Sequence, residues 1–537
     1  MSIHEAFRRK AMPPQAAQTL ETTTLPAPTR GITLDQNEAF MQPGSALVCD
    51  NWKPTLKGVS LRGGHVLWTD LHALDAPAWV TAHAYTIGNT AYDSAGRTFW
   101  NCAVNHTSAA TGSFAADRLA HPTYWTANVT IIRKPIISGF QYVSGAIAKI
   151  FCAQQAKVFD VTTTTPVLVA SGTDGNYSAS QLANQGGDWL IAVNDAGDPP
   201  LRYNGTTWTA LNAAGITNWA NNTVYAIGAT AKDATDNTLW RNTVAHTSAA
   251  AGTFAADRAA HVGYWVSTAA DGVSWITGPA GTPVAFGNGL TQVCKYRNRF
   301  FFVGLNTMSA WYLPLNAVGG ALAEIPLSGA ATKGGKLLFC ATWSIDAGDG
   351  IDDKIVFMTD QGEILVFTGS NPADAANWRQ EGRYTMSPPL GKNAWLGIGG
   401  DLLVATVDGI LPTSGAITKD RAELELAAIT RSIKPMWRDE VIAKRAYPWT
   451  MCKWDEYGGI FVAMPGAPSG SERCLVVNAA TGAWGRFTGW DVQCCMRLRG
   501  DMFFGTQKGL VMQADRTGYD DGKPYVATLV GGWEVFQ

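Results

Sequence analysis

The stretch from Lys354 to Leu411 sets the tightest limit on the fold. Lys354–Thr359 (KIVFMT) and Ile364–Phe367 (ILVF) are short apolar runs, separated by the turn Asp360-Gln361-Gly362. They are too short to hold as isolated helices, and their β-branched and aromatic residues suit buried strands. Thr368-Gly369-Ser370 ends the second run and Trp378 follows as a large apolar plug. The pattern then restarts at Leu402–Val407, turns at Asp408-Gly409 and resumes at Ile410-Leu411. Short strand pairs around tight glycine turns, repeated, predict a β-meander.

The same unit recurs along the chain. Ala148–Ala153 is expected to pair with Val158–Val161, Trp189–Asn194 with Leu201–Tyr203, and Arg299–Gly304 with Ser309–Leu313. Gly459–Met464 should pair with Cys474–Val477, and Met502–Thr506 with Gly509–Gln513. Several units close on Asn or Gly, then Thr, then Trp, as in Asn204–Trp208 and Asn478–Trp484. This punctuation predicts a mainly β chain forming a β-propeller of six or seven blades, with a β-sandwich as the runner-up. A length of 537 residues suits two to four domains, and 56 glycines with 16% charged residues favour strands and turns over long helices.

Other classes lose ground on composition. A formal net charge of −2 gives no bulk attraction to nucleic acid or acidic lipid. No apolar run approaches the ~18 residues of a membrane span, and MSIHEAFRRKAMPPQ lacks the apolar core of a secretory signal. Nine scattered cysteines, odd in number and without a CxxC pair, read as reduced core residues. Residues 1–24 are polar, with Arg8, Arg9 and Lys10 clustered, and read as an arm.

A second repeat has a different character. Trp79–Trp125 and Trp219–Trp265 align without a gap at a shift of 219 − 79 = 140. The shared frame holds Trp79/Trp219, Tyr85/Tyr225, Trp100/Trp240, His106-Thr107-Ser108/His246-Thr247-Ser248, Asp117-Arg118/Asp257-Arg258 and Tyr124-Trp125/Tyr264-Trp265. One module is therefore used twice. It is small for an independent core, so aromatic rings must supply much of it. Flat rings can also stack on the apolar faces of sugars. The ten residues Trp79, Tyr85, Trp100, Tyr124, Trp125, Trp219, Tyr225, Trp240, Tyr264 and Trp265 are thus candidates for glycan or partner contact. The spacing W-x5-Y-x2-G with a closing YW resembles small chitin-binding-type modules. In a closing strand the Tyr and Trp of that pair would point to opposite faces. Asp117-Arg118 is expected to pair and fix a turn. His106, His121, His246 and His261 are expected to hold no metal, since no Cys or carboxylate is seen to complete a set.

Residues 417–446 interrupt the strand pattern. Asp420 and Glu423 read as a capping box and Pro435 as the divide between two short helices, together an exposed hairpin or a subunit contact. Asp346, Asp349, Asp352 and Asp353 miss the spacing of a calcium loop and read as solvated. No GxSxG, HExxH or P-loop occurs. Ser344-Ile345-Asp346-Ala347-Gly348 begins like the repeat of sialidase propellers but lacks its Trp. No enzyme activity, cofactor or metal is expected.

Several stretches carry a resemblance in order along the host chain. They are PAPTRG, MQPGSALVCDNW and LRGG near the start, GDGIDD from Gly348, VFTGSNP from Val366, PPLG from Pro388 and GGDLL from Gly399. Asn478–Trp484, Arg486-Phe487-Thr488-Gly489-Trp490 and Tyr519-Asp520-Asp521-Gly522 complete the set. Together they resemble tail nozzle (tail hub) proteins of short-tailed bacteriophages. That resemblance implies a ring of six propeller subunits in the virion tail, below the portal and adaptor, assembled in the host cytoplasm. It implies that double-stranded DNA leaves through the lumen without specific binding, and that tail fibres or spikes are neighbours. A near-neutral chain suits such a lumen, because strong phosphate contacts would retain the genome. The twin modules are additions to the family pattern. Family members often continue past YDDG, so part of the distal tip is expected to be shortened or supplied elsewhere.

The expected organisation is an arm at 1–24, propeller at 25–77, 127–217 and 268–416, and inserted modules at 78–126 and 218–267. A helical insertion at 417–446 and propeller closure at 447–537 follow. The modules should project outward, toward host surface glycan or tail fibres. The alternative is a carbohydrate-active propeller enzyme with two sugar-binding modules, which would need an inward-facing carboxylate pair.

Overall fold

The computed structural model describes residues 27–129, 134–211, 218–227, 229–235, 239–267, 276–277, 289–344, 353–419, 421–466 and 472–532. The arm at 1–24, the segment 272–275, Asp346, Asp349 and Asp352 of the acidic loop, and Asp420 lie outside them.

Among the described residues seven sheets follow one another along the host chain, antiparallel except where Gly31–Ile32 and Ser45–Asp50 add to blade 6 in parallel, and they form the blades of a β-propeller. Blade 1 is Ile136–Ser144, Ile147–Gln154, Lys157–Asp160 and Val167–Ser171. Blade 2 is Tyr177–Asn184, Gly187–Asn194, Leu201–Tyr203 and Trp208–Ala210. Blade 3 is Leu290–Tyr296, Arg299–Gly304, Ser309–Tyr312 and Ala323–Pro326. Blade 4 holds the stretch with which the sequence reading began: Leu337–Trp343, Lys354–Thr359, Glu363–Thr368 and Arg379–Thr385. Blade 5 has three strands, Trp395–Ile398, Asp401–Thr406 and Gly409–Pro412. Blade 6 begins with Thr450–Trp454, Gly459–Ala463, Arg473–Asn478 and Trp484–Thr488. Blade 7 is Cys494–Leu498, Asp501–Gly505, Leu510–Thr517 and, from far upstream, Gly64–Asp70.

The ring closes on itself. The first strand of each blade is the innermost, and these strands touch in series from blade 1 round to blade 7 and back to blade 1, except that blade 4's first strand meets blade 5 at its second strand, Asp401–Thr406. An apolar cluster fills each gap. Tyr142 and Phe151 of blade 1 meet Tyr177, Leu190 and Tyr203 of blade 2. Phe301 and Val303 of blade 3 meet Cys340, Ile355 and Phe357 of blade 4. Phe503 and Met496 of blade 7 meet Ile136 and Ile150 of blade 1. A central strand therefore buries both faces, which explains why its sequence is a continuous apolar run rather than an alternating one. Lys354–Thr359 is buried at every position after the first. All nine cysteines are free, and eight of them are buried.

The helical stretch is a core piece rather than an exposed hairpin. Among the described residues blade 5 has no fourth strand, and the helices Thr413–Thr418, Arg421–Leu426 and Lys434–Lys444 pack beside it. Ala416, Leu424 and Ala428 join the cluster between blades 4 and 5, while Ile433, Trp437 and Val441 join that between blades 5 and 6. Pro435 divides the stretch as expected, opening the last helix downstream of Arg421–Leu426 at a position where no intrahelical N–H is needed.

Both inserts sit where the outer strand of one blade leads to the inner strand of the next. The first lies between Gly64–Asp70 and Ile136–Ser144, the second between Trp208–Ala210 and Leu290–Tyr296.

Candidate functional site

Each insert is built around one short helix, Phe114–Ala120 or Phe254–Ala260. Ser113 and Thr253 cap these helices by accepting from the amides of Ala116 and Ala256, both at 3.2 Å. Ser108 and Ser248 pin the loop before the helix, donating to the carbonyls of Val80 and Ala220 at 2.6 Å. The core is aromatic. Phe114 meets Trp125 edge to face at 4.7 Å and Tyr85 meets it at 4.9 Å; Phe254 and Tyr225 meet Trp265 at 4.8 and 4.9 Å.

This packing sorts the ten candidate aromatics. Tyr85, Trp125, Tyr225 and Trp265 are buried and present no face to a ligand. Trp79, Trp100, Tyr124, Trp219, Trp240 and Tyr264 are half-buried at the rim of the core. Each of these has one face occupied within its module. Trp79 stacks on Phe114 at 5.4 Å, the Arg118 guanidinium lies 4.0 Å over Trp100, and Tyr124 stacks on His121 at 4.5 Å. The equivalent contacts in the second copy are Trp219 on Phe254, Arg258 over Trp240 and Tyr264 on His261. In each Tyr-Trp pair the Trp is the inward ring, and the closing strand begins only at that Trp.

Two expectations about charged residues are overturned. Asp117 and Arg118 do not pair with each other, because neighbouring helix positions face apart. Asp117 turns inward to accept from the Trp125 indole at 3.1 Å and the Ala109 amide at 2.9 Å, while Arg118 reaches Asp93 at 2.6 Å. Asp257 and Arg258 divide in the same way, toward Trp265 and Asp233. A carboxylate also stands beside the histidines: His246 and His261 lie 3.6 and 3.3 Å from Asp257.

The sequence reading missed an exposed apolar pair common to both copies. Ile87 and Ile227 are 66% and 71% exposed, and Val104 and Val244 are 39% and 40% exposed. Ile87 is tied to the Val104 loop through its amide, which donates to Asn105 at 2.7 Å. The available signal was apolar identity at matched turn positions, where turn chemistry alone would favour polar residues.

The propeller's central channel, a cavity of about 490 Å³, is lined by inner strands of all seven blades. Its wall is mostly hydroxyl, thiol and apolar, and Lys295 is the charged side chain among the described residues that line it. At one mouth the loop before Trp395–Ile398 crosses from blade 5 to the far side. Lys392, 5% exposed, donates to the carbonyls of Asn176 and Thr291 at 2.7 Å and pairs with Asp195 at 2.7 Å. Asn393 donates to the Tyr177 carbonyl at 3.2 Å. Burial pulls the Lys392 ammonium down from its usual range against the opposing pull of Asp195. The channel is thus strapped across by one buried cation.

A second polar centre fastens the ring's ends. Arg62, fully buried, grips Asp520 with both guanidinium nitrogens at 2.8 and 2.6 Å, and donates to the Asn51 amide oxygen at 2.7 Å and the Thr488 carbonyl at 3.0 Å. Its plane lies 4.9 Å from Trp490 and 3.9 Å from Tyr525. Arg486 forks onto Asp50 at 2.7 and 2.6 Å. Burial works to raise the Asp520 carboxyl, but Arg62 and His65 outweigh it and hold it well below the usual carboxylate range. Gly64 has no room for a Cβ against the Tyr519 carbonyl. The neighbouring stretches CDNW and LRGG therefore converge in one clasp with RFTGW and YDDG, more than four hundred residues downstream.

In sequence, no family and no curated protein matches this chain. Among solved structures, the chain is similar to Sqt1 of Saccharomyces cerevisiae, with TM-score 0.36 and 11% identity over 74% of this chain and 86% of that one. It is also similar to the computationally designed Ika8 protein, with TM-score 0.35, 10% identity, and 72% and 97% covered. For YCF48 of Cyanidioschyzon merolae the values are 0.28, 9%, 72% and 97%. The propeller assignment rests on the seven sheets and their closure.

Proposed function

We propose that this chain is a structural subunit of a viral tail. In this reading it is a nozzle or hub protein whose copies form a ring below the portal and adaptor, closing the tail channel until the genome is ejected. The observation that carries the reading is the clasp. Four stretches that resemble the nozzle family meet at Arg62 and Asp520, so the resemblance falls on residues that work together. The strapped channel agrees with it. A passage crossed by Lys392 suits a rigid body, and a conduit for DNA would lie between copies. In the same reading the two inserts are the outward contacts, toward host glycan or a tail fibre, through their half-buried rings and the Ile87/Val104 and Ile227/Val244 pairs.

Electron microscopy of the purified full chain tests this. Closed rings with an axial lumen, incorporated into tails when mixed with portal and adaptor, are expected. A protein that stays monomeric at all concentrations and fails to complement a nozzle-deficient tail would overturn the reading.

A further inference from the structure

His246, Asp257 and His261 come from three parts of the second insert, and the fold converges them. Asp257 lies on the buried side of the helix Phe254–Ala260, His261 caps the end of that helix, and His246 lies on the short strand His246–Thr247. One potential ligand atom from each lies within 4.8 Å of the other two. Asp257 is wholly buried, His246 is 7% exposed at its side chain, and His261 is 31% exposed. The cluster is thus closed on the module side and open through His261.

Hydrogen bonding fixes what these atoms can offer. His246 Nδ1 lies 3.0 Å from the Val244 carbonyl, which can only accept, so this nitrogen carries a proton. In the neutral ring Nε2 then holds a lone pair. That Nε2 is buried, lacks a hydrogen-bond partner, and faces Asp257 Oδ2 at 3.6 Å. The carboxylate already takes two hydrogen bonds, from the Ala249 amide at 2.9 Å and the Trp265 indole at 3.1 Å. These partners orient it and leave one lone pair on each oxygen. A buried lone pair opposed to a buried carboxylate is unfavourable unless a positive charge stands between them. A backbone carbonyl holding one ring nitrogen while the other points at a shared centre is the usual outer support of a metal-bound imidazole. The other groups around the site are aromatic: Tyr264 and Trp265 flank His246. The neighbouring cation, Arg258, is engaged by Asp233 at 2.7 Å.

We infer that His246 Nε2, Asp257 and His261 Nδ1 form a site for a divalent transition-metal ion, Zn2+ or a similar cation, in the second insert. Two imidazoles and one carboxylate are borderline donors suited to zinc, with solvent completing four-coordination on the open side. The observed nitrogen-to-oxygen gaps of 3.6 and 3.3 Å are close to the ~3.3 Å edge of a tetrahedron with ~2.0 Å bonds. His261 Nδ1 lies 3.2 Å from the Asp257 carbonyl, so without an ion it carries a proton there, which the ion would displace; the partly exposed ring can then close the remaining gap. The first insert has His106, Asp117 and His121 at the same positions, but there the histidine stacks more closely on its tyrosine, at 4.5 Å and 7° against 5.1 Å and 26° for His261 on Tyr264, and His106 stands 4.0 Å from Asp117. The inferred ion belongs to the second copy.

The full chain, stripped with chelator and dialysed, is titrated with Zn2+ by calorimetry, and with Co2+ while following its visible absorption. One equivalent per chain, with a Co2+ spectrum of four-coordinate character, is the expected result. His261→Ala should weaken uptake at least tenfold, and so should His246→Gln, whereas His121→Ala should leave it unchanged. Each variant's fold is checked by circular dichroism; should His246→Gln not fold, the solvent-facing His261→Ala still decides the matter. No uptake, or uptake indifferent to His261→Ala, would overturn the inference and leave Asp257 and the imidazoles as an ion pair only.

Discussion

Tyr92 in the first insert and Lys232 in the second hold the same place in the repeat, and their surroundings explain why two copies of one module meet the propeller differently. The Tyr92 hydroxyl donates to Asp70 at the end of blade 7's outer strand, where Asp70 also accepts from the His72 amide and ring, each at 2.9 Å. Phe99 packs with Tyr92 and Ala76 and meets the buried His72 edge to face at 5.8 Å. Arg97 reaches Asp521, beside the clasp, at 2.8 Å. In the second copy the matching residues are Lys232, Asn237 and Leu239. None of them can repeat an aromatic hydroxyl, a guanidinium fork or a phenyl ring. Identity between the copies is kept where it builds the module core and lost where one copy has become part of its host.

Deletion should expose that difference most strongly. Removing residues 78–126 leaves every propeller strand in place but uncovers His72 and Ala76 and takes one partner each from Asp70 and Asp521. Apolar burial lost together with the Tyr92 and Arg97 contacts should cost about 3–5 kcal/mol, read as a lower denaturation midpoint with the fold retained. Removing residues 218–267 should cost less than about 1 kcal/mol, as an excised surface-loop insertion does. Equal losses in the two deletions would break the comparison.

Point changes at the contact should resolve it further. Tyr92→Phe removes one charge-assisted hydrogen bond and should cost about 1.5–3 kcal/mol. Arg97→Ala, at a half-exposed pair, should cost under about 1 kcal/mol. The tyrosine's effect should also depend on pH. Burial works to raise the Asp70 carboxyl, yet His72 and Tyr92 outweigh it and hold it below its ordinary value. A folded-state pKa below the unfolded ~3.9 means the contribution is complete above that pH and fades as pH falls toward the folded value. The gap between wild type and Tyr92→Phe should therefore narrow on acidification below about pH 4. A gap that widens there would show that Asp70 is not the partner that matters.

The contrast between modules and host also marks how far the sequence could be read. Blade strands were legible because both faces of each are buried: Lys354–Thr359, Glu363–Thr368 and the other central pairs are continuous apolar runs between glycine turns. The chain's closure was not. Gly64–Asp70 pairs with Leu510–Thr517, and nothing local in either segment announces a partner more than four hundred residues away. The helices beside blade 5 were visible by composition but misplaced, because an apolar stripe does not say whether solvent or a missing strand lies opposite. In the inserts, the ring inventory was legible and its sorting was not. Adjacent Tyr124 and Trp125 are divided by Asp117, whose inward turn depends on the helix that precedes them.

A subtler change separates the two cores. Cys102 gives its thiol hydrogen to the Val104 carbonyl at 3.0 Å, and Asn242 in its place donates to the carbonyls of Tyr225 and Ala226 at 2.9 and 3.0 Å while its own oxygen stays buried without a partner. Asn242→Cys forfeits two hydrogen bonds but also removes an unsatisfied oxygen, so a net cost near 1 kcal/mol is expected by chemical denaturation.

The smallest single-site effect concerns the rims, and it bears on the outward role proposed for both copies. Trp100 and Trp240 each lie under an arginine, at 4.0 and 4.1 Å, so any contact with a sugar or a fibre has to use another part of each ring. One such stack gives weak affinity, and changing Trp100 alone should barely alter adsorption to cells. In the proposed ring, two modules on every subunit would act together, and avidity would multiply small differences. Trp100→Ala with Trp240→Ala should therefore lower adsorption at least tenfold if the rims touch glycan, with rings and attached fibres still visible by microscopy. If fibres are lost instead, the rims hold a protein neighbour. Unchanged adsorption with fibres in place would confine both tryptophans to bracing Phe114 and Phe254. The Arg118 and Arg258 caps would then be packing devices and nothing more.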